Sequence, residues 1–166
     1  FFMEQIKRVR KTGFTLAVEA GSDRLRRIIN KGLTRDEILS MAAKVYGAGW
    51  NLIKLYFMVG LPLETEEDIR EIVRLAKEII RIAPRRGEHL NVSVSSFVPK
   101  AHTPFMWAAQ ADTEEADKKI SLIKEGLWKT RVKVKGNPTD QSRLEGIFSR
   151  GDRRLGRAVH EAWRRG

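Results

Sequence analysis

The sequence predicts an α/β protein built from parallel βα units, and three observations carry that prediction. Three apolar, β-branched-rich runs, Phe14 to Glu19, Leu52 to Val59 and Leu90 to Val98, begin about 38 residues apart. Each runs out into Gly, Pro or Ser and gives way to a helical pattern, the alternation expected of right-handed crossovers between parallel strands. Within each run one parity is polar or small (Thr15, Ala17, Glu19; Lys54, Tyr56, Met58; Asn91, Ser93, Ser95). The other parity is apolar (Leu16, Val18; Ile53, Leu55, Phe57; Val92, Val94). Strands buried on both faces read as continuous apolar runs. Here one face packs on helices, while the other either lines something wet or ligand-filled or is the exposed side of an open three-strand sheet. In a barrel-like sheet, that inner face and the loops at the strand C-termini are where sites lie.

The helices follow in order. A short one is predicted over Asp23 to Asn30, closed by Gly32. Thr34-Arg35-Asp36-Glu37 reads as a capping box ahead of Ile38, Leu39, Ala42, Ala43 and Val45. Gly47 and Gly49 end that helix, and Trp50 leads into the second apolar run. Thr65-Glu66-Glu67-Asp68 opens the next helix with acidic residues at its positive end. Its stripe runs Ile69, Ile72, Val73, Ala76, Ile79, Ile80, and Pro84 stops it. Asp112-Thr113-Glu114-Glu115 starts a further helix carrying Ala116, Ile120, Ile123 and Leu127.

Composition bounds what such a fold does. The 166 residues amount to one domain or part of one. With 42% hydrophobic and 32% charged residues the chain is too apolar to be disordered. No run of about 18 apolar residues occurs, and no charged segment precedes an apolar one at the N-terminus, which excludes a spanning helix and a recognisable signal peptide; no membrane association is expected. The absence of cysteine excludes disulfides, thiolate metal sites and a cysteine nucleophile, and fits a cytoplasmic protein. The formal charge of +11 is unevenly spread. Residues 131–166 hold ten basic and four acidic side chains, against 22 and 17 in residues 1–130. That tail either contacts the phosphates of RNA through its arginines or is a solvated or docking face.

Three loops leave the strand ends with chemistry to offer. Glu19-Ala20-Gly21-Ser22-Asp23 places a carboxylate where it suits a ribose or an amine; the alternative is a turn with an N-cap and a surface Glu. Gly21 allows close backbone approach, and Ser22 or Asp23 caps the helix. Gly60-Leu61-Pro62 leaves the second strand in the same manner, Gly60 admitting an adenine ring or a phosphate. The third exit runs from Ser95 through Phe97, Val98, Pro99 and Lys100 to Phe105. His102 within it reads as a hydrogen-bonded loop residue. No Ser–His–Asp order, HExxH, P-loop or GxGxxG occurs, so triad chemistry, zinc proteolysis and P-loop phosphoryl transfer have no support, and no catalytic or metal-ligating residue is assigned.

The three exits, taken in order, resemble one family. Val18-Glu19-Ala20-Gly21-Ser22-Asp23-Arg24-Leu25-Arg26 with Ile29-Asn30-Lys31-Gly32-Leu33-Thr34 resembles the fourth-strand segment of radical S-adenosylmethionine (radical SAM) proteins. Ile53 to Pro62 with Glu64-Thr65-Glu66-Glu67-Asp68 resembles their fifth, and Ser93 to Lys100 with His102-Thr103-Pro104-Phe105 their sixth. The resemblance covers about residues 8–128 and is nearest the uncharacterised Fe-S oxidoreductase branch with an N-terminal cobalamin-binding-like domain.

The resemblance implies the C-terminal half of a partial (β/α)6 TIM-like barrel over residues 1–129, starting in the helix before the first apolar run, and a basic C-terminal extension over residues 130–166. It implies a 4Fe-4S cluster on a CxxxCxxC motif that this cysteine-free chain does not contain. S-adenosylmethionine would bind the full-length protein, with cobalamin as a further cofactor of that branch, and none of these groups is expected on this chain alone. The ribose-contacting position falls on Glu19 with Ser22 nearby. The fifth-strand glycine motif falls on Gly60 and Leu61, although Tyr56 and Met58 replace its first Gly and its Ile, and Glu64 comes one residue late. Phe97 and Val98 would flank the adenine. The open barrel edge predicts self-association. The competing class is a non-enzymatic α/β fragment that contacts RNA through its basic tail.

Overall fold

The computed structural model describes residues 13–84 and 89–166. The helix expected before the first strand falls in residues 1–12, outside the described residues. Strands β1 (Phe14–Glu19), β2 (Ile53–Val59) and β3 (Leu90–Ser96) pair in parallel in sequence order, as the periodicity predicts. A fourth strand, β4 (Val132–Gly136), lies parallel to β3 and extends the sheet with residues from the basic extension. Its first four residues alternate Val and Lys and the fifth is Gly136, so no apolar run announced it.

Helix α1 (Asp23–Ile28) follows β1, then α2 (Arg35–Gly47); α3 (Glu66–Ile82) joins β2 to β3, and α4 (Thr113–Gly126) joins β3 to β4. The chain ends in α5 (Thr139–Arg150) and α6 (Leu155–Arg165). The expected capping box of Thr34 with Glu37 forms, and the predicted start of α3 carries a second one, Thr65 with Asp68. Helix α1 closes differently from expectation. Asn30, not Gly32, takes the left-handed conformation, at φ 55°, while Lys31 N–H donates to Arg26 C=O and Asn30 N–H to Arg27 C=O. Asn tolerates that conformation through its short polar side chain, so this Schellman closure does not need glycine. Gly49, at φ 83°, closes α2 in the same pattern and turns Trp50 onto the core.

The parity read from the sequence holds. Leu16, Val18, Ile53, Leu55, Phe57, Val92 and Val94 are buried under the helices with Ile38, Ile69, Ile72, Leu75, Ile79 and Ile123. Thr15, Ala17 and Tyr56 on the opposite face are exposed, and Lys54, Met58, Asn91, Ser93 and Ser95 half-buried. A second, smaller apolar cluster of Ala20, Leu25, Leu61 and Phe97 sits where the three loops leave the C-terminal ends of β1, β2 and β3. Among the described residues, no helix is long and apolar enough to cross a membrane.

Phe57 is 1% exposed at the centre of the sheet. Phe57→Ala should therefore lower stability by about 3–5 kcal/mol in urea unfolding, while Tyr56→Ala, one residue along on the open face, should cost under about 1 kcal/mol. Equal losses for the two would mean that the open face is covered.

Candidate functional site

The candidate site is built where the chain leaves β1, β2 and β3, and it starts from backbone geometry. The β1–β2 register slips between Ala17 and Glu19. Glu19 takes φ 70°, and Ala20 N–H reaches back to Val18 C=O at 2.9 Å, a γ-turn of the rare positive-φ kind. A left-handed glutamate is uncommon and costs about 1–3 kcal/mol, and such strain gathers at functional positions. The turn swings the Glu19 side chain out at the lip of the sheet, where it is 29% exposed and meets Lys31 Nζ at 3.6 Å.

The next residues are locked rather than free. Gly21 is packed against α3: a Cβ there would lie 2.2 Å from Asp68 C=O and 2.7 Å from Ile72 N. The close approach expected at Gly21 is therefore made by helix α3, not by a ligand. Ser22 is the N-cap of α1, accepting from Leu25 N–H at 3.0 Å, and its hydroxyl donates to Asp68. Its donor and one acceptor site are thus used within the protein.

Two side chains that sequence reasoning missed hold these loops. Arg26 is 1% exposed, and its guanidinium donates to the carbonyls of Ala20, Gly21 and Leu33 at 2.7, 3.0 and 2.8 Å and pairs with Asp23. An arginine on a six-residue helix gives no sequence sign of burial. Asp68 closes the capping box of α3 and also accepts from Ser22 and Arg24, tying the β1 exit to the β2 exit. Burial pushes its carboxyl up, but the hydrogen bonds from Ser22, Arg24 and Thr65 outweigh that and bring it down to about 2.

The β2 exit has its own buried anchor. Gly60 takes φ 80°, and its N–H donates to Glu64 Oε2 at 2.7 Å. A Cβ on Gly60 would meet Ala111 Cβ at 2.9 Å, so this glycine is required by its own backbone and by the loop before α4. Glu64 has a side chain only 2% exposed and pairs with Lys119 at 3.0 Å. Burial raises its pKa against the opposing pull of the Gly60 N–H and Lys119. One residue late in the motif, Glu64 still supports the glycine turn.

Leu61 is 4% and Phe97 8% exposed, both inside the small apolar cluster, with Phe105 edge-on to Phe97 at 6.1 Å. Their side chains form part of the floor of the shelf at the strand ends. Phe97 N–H pairs with Val59 C=O at 2.8 Å, carrying the β2–β3 ladder past Ser96; Val98 follows, half-buried. His102 is an exposed loop residue at φ 60°. The shelf thus brings Glu19, Gly60, Leu61 and Phe97 to one end of the sheet, with Val98 leading away and Ser22 turned into the packing beneath.

Comparison with known proteins bears on the family of the fold. Residues 2–76 match the model of the Radical SAM superfamily. The chain belongs to the radical SAM superfamily. It is 35% identical over 145 residues to the uncharacterised protein MJ0966 of Methanocaldococcus jannaschii, an alignment covering 85% of this chain and 30% of that protein. It is 27% identical over 145 residues, 87% of this chain and 31% of the relative, to a tRNA-2-methylthio-N(6)-dimethylallyladenosine synthase of a Ruegeria species. A synthase of the same name from Desulforamulus reducens is 37% identical over 67 residues, 40% of this chain and 15% of that protein. The chain spans less than a third of the length of these relatives. None of their names mentions cobalamin, and the expectation of it gains no support.

The superfamily implies S-adenosylmethionine and a 4Fe-4S cluster. The chain has no cysteine, and among the described residues no group of three or more His, Asp or Glu is placed to hold a metal ion. The cluster therefore has no ligands among these residues. S-adenosylmethionine does fit by donor set: the lip offers a part-exposed carboxylate held out by a strained turn, beside a glycine turn over an apolar floor.

Asp68 sets a pH dependence. Its folded pKa of about 2 lies below the ordinary 3.8, so its contribution to stability is present above about pH 4 and is lost as pH falls to about 2. That contribution is roughly 2 kcal/mol. Urea midpoints across pH 2–6 should fall through this window for the parent and vary less for Asp68→Asn, which should also start lower at pH 6. Parallel curves for the two proteins would show that Asp68 does not carry the effect.

Proposed function

We propose that this chain forms the ribose- and adenine-contacting side of the S-adenosylmethionine site in a radical SAM enzyme that acts on RNA, together with part of its substrate wall. The reading rests on one observation above all: Glu19 stands at the lip in a strained turn, next to the Gly60 turn and the Phe97 main chain. Bound S-adenosylmethionine would supply the radical chemistry, and this chain's residues would bind and orient it. Glu19 would accept hydrogen bonds from the ribose hydroxyls, with Ser22 keeping the turn beneath it in place. The main chain at Gly60, Leu61, Phe97 and Val98 would flank the adenine. The cluster's cysteines would come from outside these residues.

RNA as the substrate class is supported by the names of the methylthio-adenosine synthases and by the charge of residues 131–166. A second reading, RNA contact without catalysis through that tail, is favoured by α6. That helix has no buried residue, and it exposes Trp163 at 77% beside Arg157, Arg164 and Arg165. Binding of RNA that persists when S-adenosylmethionine binding is abolished would favour the second reading.

Replacing Glu19 by Ala in the full-length, cluster-loaded protein should weaken S-adenosylmethionine binding by about 1.5–3 kcal/mol, or roughly ten- to 150-fold, in isothermal titration. Affinity within about twofold of the parent would make Glu19 only a turn residue. Gly60→Val is a poor companion variant, because φ 80° and the Ala111 contact make it disturb the fold as well.

Self-association is a second proposal. Among the described residues β1 pairs on one side only, leaving an open strand edge and an uncovered inner face. Such edges recruit further strands. Light scattering of the 166-residue chain at high concentration should report a dimer or larger species, and a clean monomer would count against it.

A further inference from the structure

The open face of the sheet carries a charge pattern that neither the fold nor the shelf requires. The four strands contain three lysines and one acid, Glu19, which stands at the lip. All three lysines, Lys54, Lys133 and Lys135, have inward parity. The register sets Thr15, Lys54, Asn91 and Lys133 in one row across the sheet, and Ala17, Tyr56, Ser93 and Lys135 in the next. Among the described residues none of the three lysines has a carboxylate within ion-pair distance, whereas lysines and arginines on the helices are widely paired. The Asn91 amide, between Lys54 and Lys133, leaves its buried Oδ1 without a partner.

Lysines on an edge strand often serve to repel other strands, which accounts for Lys133 and Lys135 alone. It does not account for Lys54, which sits on β2 with a strand on either side. Like charges gathered on one sheet face destabilise it unless an anion neutralises them. Lysine is suited to phosphate as a point charge on a flexible stem.

From this we infer that the inner face is a phosphate-binding wall: Lys54, Lys133 and Lys135 hold a phosphate group of the substrate below the shelf that carries Glu19. The inference rests on the proposed function and names how its substrate is held. The phosphate belongs either to an RNA backbone or to a small phosphorylated compound, and the chemistry of the wall is common to both.

The test uses the 166-residue chain with two probes, inorganic pyrophosphate and a single-stranded 12-nucleotide RNA, followed by amide shifts and titration at low salt. Both probes should shift amides of β2, β3 and β4. Lys133→Gln with Lys135→Gln should weaken both at least about tenfold, and the corresponding Arg pair should restore most of that. Arg157→Ala with Arg164→Ala, on α6, should change pyrophosphate binding by less than twofold. Lysine-dependent binding of both probes supports a wall for RNA phosphate. Lysine-dependent binding of pyrophosphate alone supports a wall for a small phosphorylated substrate. Binding of both probes that is indifferent to the Gln pair overturns the inference, as does RNA binding lost only in the α6 variant. Circular dichroism of each variant excludes unfolding as the cause. Glu19→Ala should leave pyrophosphate binding intact, so a failure of the S-adenosylmethionine reading and a failure of the wall are separate results.

Discussion

The carboxylate of Asp68 is the constraint on which the arrangement of the strand ends depends. One side chain caps helix α3, accepts the hydroxyl of the residue that caps α1, and holds Arg24 of the first exit. Gly21 fits against the same turn of α3 with no room for a Cβ, so the two exits form one body. Arg26 does the complementary work from below, collecting the Ala20 and Gly21 carbonyls of the first exit and the Leu33 carbonyl of the loop after α1. Buried carbonyls without donors would cost about 1–3 kcal/mol each, so the buried guanidinium substitutes for a ladder that ends at the strand.

That rigid base explains how a strained glutamate is kept in place. A γ-turn at φ 70° persists only where its neighbours leave no alternative. On one side the β1 ladder fixes the backbone up to Ala17, and on the other Arg26 holds the carbonyls of Ala20 and Gly21. Glu19 is the one residue between them whose side chain is left to face outward. The second exit is built on the same plan with other means. Glu64 is buried beneath it, takes the Gly60 N–H, and is balanced by Lys119 from α4.

Much of the fold was legible in the sequence because side-chain direction in a strand repeats every two residues. Leu55 and Phe57 against Lys54 and Tyr56 revealed which face meets the helices, and the register confirmed it. The Thr34–Glu37 capping box and the start of α3 at Thr65 were legible because capping is local in sequence. What escaped was long-range or masked by residue type. The second role of Asp68, its tie to Ser22, spans 46 positions. Lys119 reaches Glu64 from another helix. Strand β4 was hidden because an edge strand that alternates Val with Lys looks like a charged tail. Gly21 was identified as a site of close approach, but the sequence could not say that the approaching body is α3.

The strained turn at Glu19 has a consequence for how this protein responds to selection. Glycine or asparagine at that position would relax the positive φ and gain about a kilocalorie per mole or more. Either would also remove the one carboxylate at the lip. A laboratory search for heat resistance alone would therefore drift toward losing this glutamate, and only a screen that also scores ligand capture would retain it. At this single codon, durability and recognition pull in opposite directions.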